Sequence, residues 1–250
     1  MTPDRDTQGS ASTWTLLVSA GLVAVFAPLA MRLIGPSGSQ PMTDKEAVMR
    51  LVVFGATGGT GPFVLREALA RGHNVTAFAR RPEALSDIAG LAAVVDGDAR
   101  DASAAGKAIS GQDAVIVTVS GRGQPDVARD VARTVTAAMT ELGVARLVAT
   151  SAYGMVATKP YLLAGLVRRI FAKAFADQSA ADEVIEASEV DWTIARATRL
   201  VDKPSSRPAR VSPDLFQTGP YSISRQAWAT VLVNLAEHGT HRRQIVNVTG

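Results

Sequence analysis

The stretch Gly55-Ala56-Thr57-Gly58-Gly59-Thr60-Gly61 decides the fold of this chain. It directly follows an apolar run at residues 49–54 and opens a helix-like segment at residues 63–70. A glycine loop between a strand and a helix is typical of dinucleotide binding. Gly55 permits the tight turn, Gly58 lets the backbone approach a pyrophosphate, and Gly61 lets the helix pack close to the strand. We expect the phosphates at the amino end of that helix, where free N–H groups and the helix dipole favour anions.

The residues after the second predicted strand indicate which dinucleotide binds. That strand covers residues 73–79, and NAD sites usually carry an Asp or Glu at its end, about 20 residues beyond the first glycine, to hold the ribose 2′-OH. This chain has Arg80 and Arg81 there instead. Guanidinium groups suit a 2′-phosphate because they form bidentate, charge-assisted hydrogen bonds. The sequence therefore favours NADP(H) over NAD(H); the alternative is two solvated arginines at a strand end.

Composition limits the classes of function. The chain has 250 residues, of which 47% are hydrophobic, enough for one domain with a buried core. It has no cysteine, which excludes disulfides, thiolate metal sites and cysteine nucleophiles, and its three histidines are not spaced as metal ligands, so we expect no metal. The net charge of +3 is interspersed along the chain, which fits an anionic cofactor and does not indicate nucleic acid as a partner.

Apolar strand patterns alternate with helical patterns after the glycine loop. Such an alternation predicts βαβ units and an α/β fold of the Rossmann type, a doubly wound parallel sheet. The further predicted strands are residues 92–96, 114–119, 145–150 and 192–195, and the further predicted helices are residues 127–142 and 182–188. Gly143 is a suitable residue to end the helix at 127–142. Because ligands of such sheets lie beyond the carboxyl ends of the strands, we expect one crevice there.

The amino-terminal residues form a separate region. After a leader at residues 1–13, no charge occurs from Trp14 to Met31, and the apolar character continues to residue 34. A run of about 20 apolar residues spans the hydrocarbon core of roughly 30 Å. We therefore expect a transmembrane helix at residues 14–34 that anchors the protein to the membrane. Residues 35–48 read as a linker, and the Rossmann domain, with a small carboxyl-terminal substrate region, is assigned to residues 49–250.

The charges around this segment favour a cytoplasmic catalytic domain. Arg32, Lys45 and Arg50 follow the segment, whereas Arg5 precedes it, and cytoplasmic flanks carry the excess of basic residues. Two alternatives stay open. The segment could be a cleaved signal peptide, although its leader is not clearly positive, or translation could begin at Met42 or Met49.

Several motifs together resemble a known family. They are residues 55–61 (GATGGTG), 97–101 (GDARD), 150–153 (TSAY), 186–196 (EASEVDWTIAR) and 222–225 (SISR) before a last helix at residues 226–237. In this combination the chain is similar to the atypical short-chain dehydrogenase/reductases, within them to the NAD(P)H-binding group of flavin reductase/biliverdin-IXβ reductase and the NmrA-like proteins. The resemblance covers about residues 49 to 250. Members often continue the last motif as Arg-Pro, whereas this chain has Arg196-Ala197-Thr198, so the loop beside the nicotinamide is expected to differ in shape.

The resemblance implies roles for matching residues. Asp98 would accept a hydrogen bond from the adenine amino group and Ala99 would back the ring, while residues 118–121 would pass beneath the nicotinamide ribose and residues 150–153 would line the nicotinamide. The predicted cofactor-binding residues are Gly55, Thr57, Gly58, Gly59, Thr60, Gly61, Arg80, Arg81, Asp98, Ala99, Thr118, Val119, Ser120, Gly121, Thr150, Ser151 and Ala152.

The catalytic pair of the typical short-chain dehydrogenases is missing. In Tyr-x-x-x-Lys the lysine lowers the tyrosine pKa so that the phenol can protonate a carbonyl oxygen. Here the residues four positions after Tyr153, Tyr161 and Tyr221 are Ala157, Gly165 and Arg225. Sugar epimerisation and alcohol oxidation are therefore disfavoured.

Hydride transfer to a flavin or quinone demands less of the protein. The conjugated ring delocalises the charge and water can supply the proton, so orientation carries most of the catalysis. Ser151 and Tyr153 are the candidates to bind the acceptor, unless their roles are structural. The sequence thus predicts an NADPH-dependent oxidoreductase of a flavin, quinone or related acceptor. The alternative is a non-catalytic NADP(H)-sensing regulator of the NmrA-like type; a subunit with a degraded site fits the intact glycine loop poorly. The acceptor and the oligomeric state are left undetermined.

An amphipathic helix is predicted at residues 160–176. Its apolar face carries Leu163, Val167, Ile170, Phe171, Ala174 and Phe175. Arg168, Arg169 and Lys173 lie on the opposite face. The pattern fits a lid over the acceptor, a helix on anionic lipid, or a surface helix with solvated cations.

Overall fold

The computed structural model describes residues 47–121, 124–158, 161–203, 208–216, 218–219 and 221–250. The predicted leader at 1–13 and transmembrane helix at 14–34 lie outside these residues, as does the predicted linker at 35–48 apart from Ala47 and Val48. Among the described residues, no helix is both long enough and apolar enough to cross a membrane.

The strands and helices alternate in the first two thirds of the domain. The strands are β1 (Arg50–Phe54), β2 (Asn74–Ala79), β3 (Ala93–Asp96), β4 (Ala114–Val117), β5 (Arg146–Ala152), β6 (Asp191–Ala197), β7 (Arg199–Val201), β8 (Arg210–Ser212), β9 (Ser222–Ser224) and β10 (Gln244–Thr249). The helices are α1 (Gly61–Ala70), α2 (Ala102–Ile109), α3 (Val127–Leu142), α4 (Tyr161–Ile170), α5 (Ala172–Glu186) and α6 (Arg225–His238), with short 3₁₀ turns at Pro82–Leu85 and Tyr153–Met155.

The main sheet is of the Rossmann type. Within the described residues its eight strands have the order β3-β2-β1-β4-β5-β6-β10-β8, and β7 and β9 pair separately. The predicted parallel sheet is confirmed for the first seven strands of that order, but it is wrong for β8, which runs antiparallel to β10. The chain reverses its direction of winding between β1 and β4, and ligands of such sheets bind outside the carboxyl ends of the strands at that point.

Both faces of the sheet are covered by helices, because successive residues of a buried strand point to opposite sides. Leu51 and Val53 pack on the face that α1 and α6 cover, together with Trp228 of α6. Val52 and Phe54 pack on the other face, against apolar residues of α2, α3 and α5. The apolar run before the glycine loop is therefore buried on both sides.

The helices α1 and α6 lie next to each other and are joined by polar contacts at one end. Arg71, just after α1, pairs with Glu237 of α6 at 2.5 Å and with Glu67 at 2.7 Å. The buried His73 ring also contacts the Glu237 carboxylate at 2.5 Å. Packing of α6 on α1 brings the beginning of α6 to the glycine loop, which matters for the site.

Three predicted helices differ in how they compare with the structure. The helix predicted at 127–142 is confirmed, and Gly143 ends it in the left-handed region with a φ of +68°. A single helix at 160–176 is wrong: α4 ends at Ile170, α5 begins at Ala172, and Phe171 between them is not helical. The short helix predicted at 182–188 is instead the last part of α5, which ends at Glu186. At the break Phe171 has a φ of −100° and a ψ of 17°, although its N–H still donates to the Val167 carbonyl at 3.0 Å.

Candidate functional site

The glycine loop fits tightly between β4 and α1. Gly55 has a φ of +79°, and a Cβ added there would lie 2.8 Å from the Thr118 Oγ1 atom. The Thr118 hydroxyl donates a hydrogen bond to the Phe54 carbonyl at 3.0 Å, which fixes the end of β4 against the loop. A Cβ on Gly61 would collide with the carbonyl oxygens of Gly55 and Ala56. Larger residues at these two glycines would push the strand, the loop and the helix apart.

A cavity of about 540 Å³ opens beside this loop, at the carboxyl ends of β1, β2, β3 and β4. Of the residues predicted to bind cofactor, it is lined by Gly55, Thr57, Gly58, Gly59, Thr60, Arg80, Arg81, Asp98, Ala99, Thr118, Val119, Ser120 and Gly121. The rest of its wall is formed by Phe78, Ala79, Gly97, Arg100, Gln124, Val127, Val131, Leu200 and Arg225. Gly61, Thr150, Ser151 and Ala152 are not part of this lining, and for all of these residues cofactor binding stays a prediction.

Two exposed arginines lie in the cavity wall. Arg80 and Arg81 follow β2 directly, and both are exposed. Neither forms an ion pair with any residue that the structure describes, in contrast to the other two arginines of the lining, Arg100 and Arg225. A pair of guanidinium groups without a carboxylate partner suits an external anion.

Asp98 is already engaged by a neighbour in the same wall. Arg100 donates hydrogen bonds from its guanidinium to both carboxylate oxygens of Asp98, at 2.6 and 3.0 Å. These bonds lower the pKa of Asp98 to about 2, with a smaller contribution from the charge of Arg80. Asp98 is therefore a carboxylate at neutral pH and keeps acceptor capacity, as an adenine amino group would require.

Ser151 is buried at the end of β5, where it contacts a polar cluster. Its hydroxyl donates to the Asp182 carboxylate at 2.8 Å, and Arg196 donates to the same carboxylate at 3.1 Å. Burial raises the pKa of Asp182, and the bonds from Ser151 and Arg196 oppose that shift. The Ser151 hydroxyl is thus occupied within the fold.

Tyr153 is also buried and occupied. Its hydroxyl donates to the Phe216 carbonyl at 3.2 Å, and the two rings pack with centroids 5.5 Å apart. Burial raises the pKa of Tyr153, so the phenol is protonated at neutral pH. Ser151 and Tyr153 lie outside the cavity lining, and their catalytic role stays a prediction.

The clearest residue that sequence reasoning missed is Arg225. It is the first residue of α6, yet it lines the cavity because α6 lies beside α1. The motif at residues 222–225 drew attention to this position as a mark of the family, but nothing local in the sequence shows that it faces the glycine loop. Leu200 of β7 reaches the cavity in the same indirect way.

The residues present fit a dinucleotide. At Gly58 and Gly59 the loop presents backbone without a side chain, and Thr60, at the N-cap of α1, lines the cavity and makes no side-chain hydrogen bond to the helix. The amino end of α1 therefore lies at the cavity and is not capped by that hydroxyl, so its N–H groups and dipole favour an anion there.

Comparisons with known proteins agree with this geometry. A family model described as NAD(P)H-binding matches residues 55–239. Among solved structures, a short-chain dehydrogenase/reductase from Veillonella parvula in complex with NADP has 17% identity and a TM-score of 0.69, with 81% of this chain and 94% of that chain covered. An anaerobilin reductase from Escherichia coli O157:H7 has 23% identity and a TM-score of 0.68, with 80% and 96% covered. A putative exported protein from Burkholderia pseudomallei has 23% identity and a TM-score of 0.68, with 81% and 100% covered. At these identities the structural matches show the fold, whereas the family model spans most of the chain. The chain therefore belongs to the NAD(P)H-binding family that this model describes.

Proposed function

We propose that this protein is an NADPH-dependent reductase that transfers a hydride to a flavin, a quinone or a related conjugated acceptor. The observation that carries the proposal is the cavity, in which the glycine loop, the amino end of α1 and four arginines face one space. The solved anaerobilin reductase, a reductase by its printed name, has the same fold and supports this class of reaction. Membership of the NAD(P)H-binding family supports an oxidoreductase, and both the turnover and the acceptor are part of the proposal.

The preference for NADPH rests on Arg80 and Arg81. Both are exposed in the cavity wall and lack an ion-pair partner among the described residues. A 2′-phosphate could therefore bind two guanidinium groups without breaking an existing salt bridge. NAD carries a neutral hydroxyl at that position and would form no bond between opposite charges there.

The proposed reaction needs little acid or base catalysis by side chains of the protein. When bound, NADPH supplies a hydride, and a conjugated acceptor takes up that charge together with a proton from water. The residues of this chain then act mainly by holding both rings in place and excluding bulk solvent. Ser151 already donates its hydrogen to the Asp182 carboxylate at 2.8 Å, so it could donate to an acceptor only after that bond is broken.

A second candidate is a sensor of NADP(H) that performs no turnover. It is favoured by one observation: the hydroxyls of Ser151 and Tyr153 both donate hydrogen bonds to other groups of the protein, and neither residue lines the cavity. Steady oxidation of NADPH with FMN or a quinone, followed by absorbance, selects the reductase. Tight NADP(H) binding without turnover across flavins and quinones selects the sensor.

The cofactor preference is tested by the double variant Arg80→Ala, Arg81→Ala. Each lost contact to a charged group costs about 1.5–3 kcal/mol, so the loss of both should lower the affinity for NADPH by roughly a hundredfold or more, while that for NADH changes little. Dissociation constants from fluorescence titration measure both. Lys107→Ala on α2, an exposed cation outside the cavity, is the control for a general charge effect. Equal affinities of the unaltered protein for NADPH and NADH would contradict the assignment.

A further inference from the structure

Arg225 is far from the glycine loop in sequence but lies next to it in the structure. It is the first residue of α6, whose N-cap Ser224 accepts a hydrogen bond from the Ala227 N–H at 3.1 Å. A Cβ built on Gly59 would lie 3.6 Å from the Arg225 Nε atom, so the guanidinium rests against the loop. Its side chain is only 24% exposed, and it lines the cavity. A cation is thereby held at the part of the loop where the fold receives phosphates.

The partner of Arg225 is a weakly held surface carboxylate. Asp202 accepts a hydrogen bond from the guanidinium at 2.5 Å, and its side chain is 81% exposed. The pairing follows from the two-stranded sheet of β7 and β9, in which Val201 lies opposite Ser224. Asp202 and Arg225 are the next residues along the two strands, so they also lie opposite each other. Ion pairs with so exposed a member contribute little to stability, because water solvates the charges well. A phosphate can therefore replace Asp202 at small cost.

We propose that Arg225 binds the pyrophosphate of the cofactor and that Asp202 holds its guanidinium at the loop in the protein without cofactor. The proposal rests on the function proposed above. It divides the arginines of the cavity by role: Arg80 and Arg81 at the end of β2 recognise the 2′-phosphate, whereas Arg225 contacts the group that NADPH and NADH share. Arg225 raises affinity for both dinucleotides and leaves the choice between them unchanged.

The test is a comparison of ligands in one titration series. Arg225→Gln should weaken NADPH and NADH by the same factor, about ten- to a hundredfold for a lost charge-assisted contact. Adenosine 2′-monophosphate has the 2′-phosphate and no phosphate on its 5′ oxygen, so its affinity should not change. The Arg80→Ala, Arg81→Ala variant should show the reverse pattern, with NADH unaffected and adenosine 2′-monophosphate weakened.

Asp202 provides an independent test that leaves Arg225 in place. Asp202→Asn removes the competing carboxylate, so NADPH and NADH should both bind a few fold more tightly. The same change in an Arg225→Gln background should have no effect. Lys203→Gln alters a neighbouring exposed charge and is the matched control, expected to leave both affinities unchanged. Thermal unfolding of each variant verifies that it is folded, and if Arg225→Gln is not, the Asp202→Asn result decides.

The outcomes separate this proposal from the proposed function. The role of Arg225 is overturned if Arg225→Gln leaves the affinities for NADPH and NADH unchanged. It is also overturned if Asp202→Asn, in a chain that keeps Arg225, leaves both affinities unchanged. A loss confined to NADPH assigns Arg225 to the 2′-phosphate and overturns it as well. Binding of NADPH that depends on Arg225, without turnover of any acceptor, supports the role of Arg225 and overturns the reductase. No binding of NADPH by the unaltered protein overturns both.

Discussion

At the scale of single residues, Tyr153 shows how burial limits chemistry. Its phenol is buried, its pKa is raised, and its hydroxyl is held by the Phe216 carbonyl. We therefore expect Tyr153→Phe to retain turnover with FMN or a quinone within a few fold, because only a neutral hydrogen bond is lost. The turnover number at saturating NADPH measures this.

The same variant also separates two kinds of reduction. Removal of a general acid typically lowers the rate by 10²- to 10⁴-fold. A loss of three orders of magnitude with unchanged cofactor affinity would identify Tyr153 as the proton donor and would indicate carbonyl reduction. Ser151→Ala is the companion variant, since it removes the other candidate hydroxyl and leaves Tyr153 intact.

The glycine loop could be read from the sequence because its requirements are local. Gly55 needs a positive φ and Gly61 a close contact with the loop, and only glycine satisfies both at no cost. Arg225 could not be read in this way. Arg225 lies at the start of α6, more than 160 residues after the glycine loop, and contacts the loop because α6 lies beside α1. No local sequence pattern encodes a contact between residues so far apart in the chain.

At the scale of elements, α3 begins with a cap supplied by another helix. The carboxylate of Asp177, a buried residue of α5, accepts hydrogen bonds from the N–H groups of Ala128 at 2.9 Å and Arg129 at 3.2 Å. We expect Asp177→Ala to lower the free energy of unfolding by about 2–3 kcal/mol, because it leaves buried donors without partners. Asp177→Asn, which keeps an acceptor oxygen, should cost about half as much. Urea denaturation measures both.

The matched comparison is Asp101, an exposed N-cap of α2 that accepts from the N–H groups of Ser103 and Ala104. Water can satisfy those groups when the side chain is removed, so Asp101→Ala should cost about 1 kcal/mol. If Asp177→Ala costs no more than Asp101→Ala, burial of the cap contributes nothing and our account of α3 is wrong.

The helix break at Phe171 marks the limit of prediction from periodicity. The apolar pattern runs through residues 163–175 without interruption, so it favours one helix. In the structure, α5 takes its orientation from the contact of Asp177 with α3, whereas α4 leaves Leu166 and Ile170 exposed. By contrast, α3 was predictable to the residue, since it is strongly amphipathic and Gly143 ends it.

At the scale of the whole molecule, every described residue that lines the cavity lies at or beyond Gly55. The first strand begins at Arg50 and pairs on both sides within the sheet. We therefore expect a truncated chain that begins at Met42 to bind NADPH with the affinity of the full chain. Isothermal titration with both proteins measures this. Failure to bind, or insolubility of the shorter chain, would show that the residues before Met42 belong to the fold.

The strands β1 to β6 follow the βαβ pattern, from which the sequence predicted a sheet of the Rossmann type. The carboxyl-terminal part of the sheet could not be predicted from that pattern. β7, β8 and β9 have three residues each, too few for a periodic signal, and β10 inserts between β6 and β8 only because of partners that lie far away in sequence. The side of the cavity formed by Leu200 and Arg225 belongs to that part.

The position of β10 has a consequence for how the protein is made. β6 is paired with β5 on one side and with β10 on the other, and 46 residues, 198–243, separate β6 from β10. Until β10 has been made and has folded onto the sheet, the edge of β6 that faces it keeps unpaired N–H and C=O groups and can pair with another chain. A chain that stops short of residue 244 would keep that edge open, and we expect such a fragment to aggregate.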